Sequence, residues 1–292
     1  MTQSQATQGN STSSVLGRRL GGELIKLRTA AGLTQAHAAK TLTASVAKVA
    51  KMERGWVPMR DPDIRALCEL YGVRDPGTVG GLLELARVDR ERRKAKGWWD
   101  DTNVGPMQEY VTLENAATTI TVWQPAFVPG LLQTVGYMRA VRTGHSRREL
   151  TGADEEFIAA RVRRQRRLTD DPPLTLRAVI WEAVLRNTLG GAGVMREQLE
   201  HLAAVARQPN VAITVSPFGA DAHNGLDGPF NIISFAEPGA MDVVYREMPF
   251  SQMWIEGGEG AAQHVELFER IAQSALSESD SLAFICDLSK EL

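Results

Sequence analysis

The sequence predicts an all-α domain of five short helices, followed by a larger α+β domain with a mainly antiparallel sheet. Between residues 15 and 86, apolar residues recur every three or four positions in short runs separated by Gly and Pro, as on one face of a helix. From residue 117 onwards, segments rich in β-branched and aromatic residues alternate with helical stretches. Two different periodicities therefore predict two domains.

The charge divides the chain in the same way. Residues 15–97 carry 17 Lys and Arg against nine Asp and Glu, whereas residues 98–292 carry 16 against 26. A basic first part joined to an acidic second part is expected if only the first part meets a polyanion. The predicted segments are a disordered tail (1–14), a helix-turn-helix domain (15–75), a helical connector (76–97) and an α+β regulatory domain (98–292).

Composition excludes several classes of protein. With 43% hydrophobic and 23% charged residues the chain is expected to be soluble and globular. No run of about 18 uncharged apolar residues exists, so we expect no membrane span, and the first fourteen residues lack the blocks of a secretory signal. Cys68 and Cys286 lie in apolar helical patterns without metal-ligand spacing, which indicates small buried hydrophobes in a reducing cytoplasm.

The five helices follow from apolar spacing and from residues suited to helix ends. Gly32 is suited to end the first helix because it accepts a positive φ. Thr34 and Ser45 are suitable N-caps for the second and third helices, and Asp61 or Asp63 for the fourth. The predicted helices span about 15–31, 34–42, 45–55, 61–71 and 76–86.

Helices two and three have the features of a DNA-reading pair. Ala39 is small enough to let the two helices approach, and Val49 and Met52, three residues apart, are expected to face the core. The outward positions of the third helix are then Val46, Ala47, Lys48, Ala50 and Lys51. A short helix with a buried apolar side and two outward lysines fits a major groove about 12 Å wide.

This segment resembles the Xre/lambda-repressor-like helix-turn-helix family. The resemblance lies in LTQ (33–35), Ala39, Leu42, Val49, Met52 and ERG (53–55). It implies a transcriptional regulator whose partner is double-stranded DNA. Because one such motif reads only a few base pairs, we expect a homodimer on a two-fold related operator.

The same resemblance implies which residues contact DNA. Gln35, at the start of helix two, would bind phosphate with help from the helix N-terminus, and Ser45 would cap the recognition helix and touch the DNA backbone. Glu53 is expected to be structural. The implied DNA-contacting set is Gln35, Ser45, Val46, Ala47, Lys48, Lys51 and Arg54.

The sequence departs from the family pattern at two places. Thr43 stands where the turn frequently has Gly, so the turn either avoids positive φ or holds Thr there at a cost of about 1 kcal/mol or more. Val46 and Ala47 are apolar where many relatives carry hydrogen-bonding groups. They either contact thymine methyls or pack on helix two, and specificity is expected to depend partly on DNA shape.

The second domain is predicted from five strands and five helices. The expected strands are 117–123, 174–181, 211–216, 230–235 and 242–246, and the expected helices are 130–142, 154–168, 194–206, 259–276 and a last one from about 279. The final three strands follow each other without room for helices. This spacing predicts an antiparallel meander within an α+β domain.

Residues 98–292 resemble the C-terminal domain of uncharacterised function in actinomycete regulators similar to the developmental regulator WhiJ. The matching stretches include 123–141, 161–173, 209–218, 225–235 and 275–285. Such regulators are commonly encoded beside a small partner protein. The resemblance therefore implies that this domain senses a ligand or holds a small companion protein encoded nearby.

Other features of the second domain favour no catalytic chemistry. His223 lies between Asp221 and Asp227 in a Gly-rich loop without metal or acid–base spacing, and no nucleophile elbow, zinc-protease motif or phosphate loop occurs. Gly190 and Gly191 are read as a helix-start loop. We therefore predict no enzyme, no catalytic residue, no metal and no cofactor.

Two basic runs and the tryptophans leave alternatives open. The run 89–97 is either a solvated helix end or a phosphate contact. The run 161–167 either grips DNA or an acidic partner or forms internal ion pairs, with Phe157, Ile158, Val162 and Leu168 facing the core. Tryptophans 98, 99, 123, 181 and 254 either fill the core or line a ligand pocket.

Overall fold

A computed structural model of the protein describes residues 14–94, 97–99, 107–146, 149–220, 224–236, 242–248, 251–256 and 258–292. The chain divides into two compact units, residues 1–96 and 97–292. We call them the helical unit and the sheet unit and describe each by itself. No helix in the described part of the chain is both long enough and apolar enough to span a membrane.

Five helices are described in the helical unit. They are α1 (Val15–Ala30), α2 (Gln35–Thr41), α3 (Val46–Glu53), α4 (Asp61–Leu70) and α5 (Pro76–Lys94). Gly32 has φ +69° directly after α1, so its role as the end of this helix is confirmed. The fourth helix is different, because its N-cap is Arg60 and Asp61 is already helical. One core contains side chains from all five helices, including Leu20, Ala38, Met52, Ile64 and Leu82.

Helix α5 spans most of the segment predicted as a connector, and it takes part in the core. Its first half contributes the buried side chains of Leu82 and Ala86. Its basic end is also attached, since Val88 and Asp89 are buried and Arg90 donates to the carbonyl of Met59 at 2.6 Å. The run 89–94 is therefore more than a solvated helix end.

The sheet unit contains one six-stranded sheet that is mixed, so the prediction of a mainly antiparallel sheet is wrong. The strands are β1 (Thr119–Gln124), β2 (Thr175–Trp181), β3 (Val211–Ser216), β4 (Phe230–Ser234), β5 (Val243–Met248) and β6 (Ser251–Glu256). Their order is β3-β2-β1-β4-β5-β6. The pairs β1–β2 and β2–β3 are parallel, and the other three are antiparallel.

The connections explain this topology. Helices separate β1 from β2 and β2 from β3, and such long crossovers allow parallel pairing. The meander consists of β4, β5 and β6, whereas β3 lies at the far edge beside β2. The predicted meander of β3, β4 and β5 is therefore wrong. Strand β6 was missing from the prediction because it is an edge strand whose first half is exposed, which leaves it without a hydrophobic pattern.

Seven helices are described in the sheet unit. They are α6 (Gln108–Ala116), α7 (Val135–Ser146), α8 (Gly152–Gln165), α9 (Glu182–Arg186), α10 (Ala192–Val205), α11 (Gly258–Gln273) and α12 (Glu278–Glu291). The sequence did not predict α6 or α9. It also predicted one helix over 130–142, where the structure has a short 3-10 turn (Gly130–Leu132), an extended Gln133 and then α7.

Helices cover both faces of the sheet. On one face Trp123, Phe230 and Val244 pack against Phe268 and Ile271 of α11. On the other face α6 places Tyr110 against Tyr245 of β5, with ring centroids 4.9 Å apart. Helix α12 closes the β3 edge, since the hydroxyl of Ser281 accepts a hydrogen bond from the amide of Val215 at 2.9 Å. This protects one sheet edge and leaves β6 as the other.

Candidate nucleic-acid interface

Helix α3 has one buried side and one exposed side. Val49 and Met52 are each 2% exposed and belong to the core, as predicted. On the opposite side Val46 is 47% exposed, and Ala47, Lys48 and Lys51 are also exposed. Val46 and Ala47 are therefore exposed and do not belong to the core.

Both ends of α3 are fixed by local chemistry. The hydroxyl of Ser45 accepts a hydrogen bond from the amide of Lys48 at 3.1 Å, which confirms its role as N-cap. After the helix, Gly55 adopts φ +71°. In the turn before the helix Thr43 has φ +48°, the only positive φ of a non-glycine residue in the described part of the chain. The turn thus holds Thr in the strained conformation.

The start of α2 has a reciprocal cap. The side chain of His37 accepts a hydrogen bond through Nδ1 from the amide of Thr34 at 3.1 Å. Ala38 and Ala39 are buried against α3, and the amide of Ala44 donates to the carbonyl of Ala39 at 2.9 Å. The angle between the two helices is therefore set by small residues and backbone hydrogen bonds.

A buried carboxylate links α1, α2 and α3. Glu53 accepts hydrogen bonds from Arg28 Nε at 2.7 Å and Arg28 Nη2 at 3.2 Å, and another from Gln35 Nε2 at 2.7 Å. The hydrogen bond that Arg28 donates to Glu53 raises the pKa of Arg28. Glu53 is thus structural, as expected, and the side chain of Gln35 also has a structural partner. The predicted phosphate contact of Gln35 is not tested by this geometry.

Helix α1 lies unusually close to the C-terminal end of α3. A Cβ atom added to Gly21 would lie 2.1 Å from the carbonyl oxygen of Glu53, and one added to Gly55 would lie 2.2 Å from the amide of Arg18. Both neighbours are backbone atoms that cannot rotate away. The sequence analysis missed this contact, although Gly17 and Gly21, four residues apart in a predicted helix, were a visible signal.

Helix α5 holds the same end of α3 from another direction. Arg93 donates hydrogen bonds to the carbonyl of Gly55, to the hydroxyl of Ser14 at 2.6 Å and to Asp89 at 2.8 Å. Ser14 in turn donates to Asp89. Since Asp89 is 1% exposed, this network is internal. Helix α5 therefore holds the backbone at Gly55, just after α3, through an internal network.

Further polar and aromatic groups lie next to α3 in the chain. Trp56, three residues after its end, is 43% exposed, and Arg54 is exposed as well. Arg60 forms two hydrogen bonds with Asp63, at 3.0 and 3.1 Å, which lower the pKa of Asp63, and the charge of Lys48 adds to this effect. Trp56 and Arg60 were not predicted as site residues.

The family comparisons agree with the two units. The family described as "Domain of unknown function (DUF5753)" matches residues 107–287. The chain belongs to the DUF5753 family. A family described as "Helix-turn-helix domain" matches residues 19–80, so α2 and α3 lie within a helix-turn-helix domain. No curated protein and no solved structure matches the chain.

The second basic run, 161–167, lies in the DUF5753 part and is only partly buried. Arg164 is buried and forms two hydrogen bonds of 2.7 Å with Glu114, and Arg167 lies 3.8 Å from Asp170. Internal ion pairing is therefore confirmed for these two residues. Val162, however, is 39% exposed, so its predicted place in the core is wrong. Arg164 of α8 is buried because its guanidinium forms an ion pair with Glu114 of α6.

The remaining features singled out in the sequence lie in a loop, in helices and in strands. Gly190 and Gly191 have φ +76° and +95° directly before α10, which confirms a helix-start loop. Asp221 and His223 lie outside the described residues. Cys68 is buried, as predicted, and Cys286 is half-buried. Trp99 and Trp123 are buried, whereas Trp98, Trp181 and Trp254 are partly exposed.

Proposed function

We propose that the protein is a sequence-specific DNA-binding transcriptional regulator in which α3 enters the major groove. The observation that carries the proposal is the division of α3 into a buried apolar side and a side of exposed Val46, Ala47, Lys48 and Lys51. A helix of eight residues with this division can lie in the groove while its own unit keeps a closed core.

Each exposed residue of α3 receives a role from its chemistry. Lys48 and Lys51 supply donors for base edges or phosphates. Val46 and Ala47, being exposed, are suited to thymine methyl groups. Ser45 contacts the DNA backbone next to the cap that it forms. Arg54 adds a phosphate contact at the other end of the helix.

The N-terminus of α2 is the second part of the proposed interface. The backbone amides at the start of a helix attract phosphate. Gln35 is the first residue of α2. Its side chain already binds Glu53, so we assign the phosphate contact of Gln35 to its backbone amide.

The subfamily, the compartment and the oligomeric state of the protein are also proposals. The stretches described above support membership of the Xre-like regulators with the WhiJ-type arrangement, acting in the actinomycete cytoplasm as a homodimer. In this arrangement the DUF5753 domain is a regulatory part, controlled by a ligand or by a small companion protein. We propose no catalytic activity for it.

The experiment is selection of binding sites from a pool of random double-stranded DNA by the full-length protein, followed by affinity measurements at two salt concentrations. We expect an inverted repeat whose affinity falls steeply with salt. Replacing Lys48 and Lys51 together by Ala should weaken binding about tenfold or more per lysine and flatten the salt dependence.

The matched control is Lys290→Ala, which removes an exposed lysine of the sheet unit. It should leave DNA affinity within about twofold. Unchanged binding by the Lys48/Lys51 double variant would remove α3 from the interface. Failure to enrich any DNA would contradict the proposed function as a whole.

A further inference from the structure

Helix α3 ends in a Schellman motif that fixes the position of Trp56. The amide of Gly55 donates to the carbonyl of Met52 at 2.9 Å, and the amide of Trp56 donates to the carbonyl of Lys51 at 2.8 Å. Together with the φ of +71° at Gly55, these two hydrogen bonds define the motif. The backbone of Trp56 is therefore held at the C-terminal end of the recognition helix.

The same motif relates Trp56 to the exposed side of α3. In a Schellman motif the residue after the glycine commonly makes an apolar contact with the residue whose carbonyl its amide binds. Here that residue is Lys51, which is exposed, and Trp56 is itself 43% exposed. The helix end thus offers Trp56 a lysine instead of an apolar side chain. The indole stays open to solvent next to a residue of the proposed DNA-contacting side.

Trp56 begins a loop, residues 56–60, that is anchored to the helical unit. Val57 packs against the core and Met59 is 1% exposed. A side chain from α5 donates to the carbonyl of Met59 at 2.6 Å. Trp56 and Arg60, in contrast, are exposed. Because the backbone of the loop is fixed, its exposed side chains bind a partner at a small cost in conformational entropy.

The charges next to Trp56 in the chain favour an anionic partner. Lys48, Lys51 and Arg54 are exposed. The carboxylates of the same segment are each paired with an arginine: Glu53 with Arg28, Asp61 with Arg90 and Asp63 with Arg60. Because these acids are neutralised, the two lysines make this surface positive. An exposed aromatic ring on a positive surface fits a nucleic acid better than it fits an acidic side chain alone.

We propose that Trp56 is a further DNA-contacting residue, whose ring packs on a deoxyribose while its indole N–H donates to a phosphate oxygen. Indole nitrogen is a donor only, and phosphate oxygens are acceptors only. In a helix-turn-helix domain the N-terminal residues of the recognition helix reach the base edges. A residue beyond the C-terminal end of that helix therefore meets the DNA backbone. This inference rests on the proposed function and extends the interface past α3.

The experiment measures the affinity of full-length W56A for the selected operator and for a DNA of unrelated sequence, at several salt concentrations. We expect an about tenfold loss of affinity for both DNAs, because a backbone contact carries no sequence information. The slope of affinity against salt should stay as in the wild type, because indole is neutral, in contrast to the Lys48/Lys51 double variant. W56F keeps an aromatic ring without the N–H and should recover part of the loss.

The matched control is F218A, which removes a 57% exposed aromatic side chain of the sheet unit and should leave DNA affinity unchanged. Amide hydrogen exchange in α3 is compared between free W56A and the free wild type. We expect equal exchange, because the backbone hydrogen bonds of the Schellman motif do not need the indole. Full DNA affinity in W56A overturns the inference. So does a loss of protection in α3, since Trp56 would then act on DNA binding only by holding the helix.

Two further outcomes separate Trp56 from other roles. Analytical ultracentrifugation of the free protein tests a contact between two copies, and a lower oligomeric state of W56A would assign Trp56 to that contact and overturn the inference. A wild-type protein that binds no DNA refutes the proposed function together with this inference. DNA binding that is the same in W56A as in the wild type refutes this inference alone.

Discussion

Two ionic groups in this protein, one in each unit, have different surroundings. In the helical unit the carboxylate of Glu53 accepts three hydrogen bonds, two from Arg28 and one from Gln35. In the sheet unit the guanidinium of Arg161 meets a neutral amide and a thioether, and its Nε has no partner among the described residues. Glu53 is buried in α3, whereas Arg161 of α8 is partly exposed.

The different hydrogen-bond partners of Glu53 and Arg161 indicate different roles for the two side chains. Glu53 joins α1, α2 and α3, and the side of α3 with Val46, Lys48 and Lys51 stays exposed. A binding surface made of exposed residues depends on such support from behind. Arg161 instead holds α8 to the segment before α7 through a neutral amide, since its Nη1 donates to Gln133 at 3.1 Å.

The largest expected effect tests the first half of this comparison. Glu53→Gln removes the negative charge that neutralises Arg28 and should destabilise the helical unit by about 3 kcal/mol. Amide hydrogen exchange in peptides of that unit measures the change in the full-length protein. The control is Glu23→Gln on α1, whose partners Arg19 and Lys26 lie nearer the surface, with an expected loss below about 0.5 kcal/mol. Equal losses of stability in the two variants would show that the buried Glu53 contributes no more than the more exposed Glu23.

A smaller effect is expected where α1 meets α3 without any charge. Gly21→Ala would drive a Cβ atom into the backbone of Glu53, so α1 has to shift, at a net cost of about 2 kcal/mol. The neighbouring Gly22 has no atom within 4 Å of an added Cβ. Gly22→Ala should therefore stabilise α1 by about 1 kcal/mol, as Ala normally does in a helix. Amide hydrogen exchange in α1 and α3 measures the change in stability of both variants.

The substitution Gly21→Ala should also change DNA affinity, because α1 contacts the C-terminal end of α3. If α1 positions α3, Gly21→Ala lowers DNA affinity as well as stability, whereas Gly22→Ala changes only stability. A Gly21→Ala protein with full DNA affinity would limit the role of this contact to folding.

The sequence predicted local features well because their causes are local. The caps at Thr34 and Ser45 and the buried positions Val49 and Met52 follow from residues at most a few positions apart. Sheet order follows from contacts between distant segments. Parallel pairing of β1 with β2 joins Thr119 to Thr175, and no pattern within either strand distinguishes it from antiparallel pairing.

The candidate sites divide in the same way. Periodicity was enough to place Lys48 and Lys51 on the outer side of α3. It could not show that Arg164 is buried, because the partner Glu114 is 50 residues away on a helix that the sequence did not reveal. Among the described residues, the unpaired Nε of Arg161 and hydroxyl of Tyr245 likewise result from packing that exists only in the folded unit. Buried polar clusters of this kind have no sequence period.

The smallest expected effect concerns the turn between α2 and α3. Thr43 has φ +48°, a conformation in which its Cβ is strained and Gly is not. Thr43→Gly should relieve this strain, and after the added flexibility of the unfolded chain the net gain is about 0.5 kcal/mol. Thr41→Gly, at the last position of α2, has no such strain to relieve and should destabilise by a similar amount. Because Thr43 lies outside the proposed DNA contacts, its substitution should raise protection from hydrogen exchange in α2 and α3 and leave DNA affinity unchanged. A loss of affinity without a loss of stability would instead place this turn against the DNA.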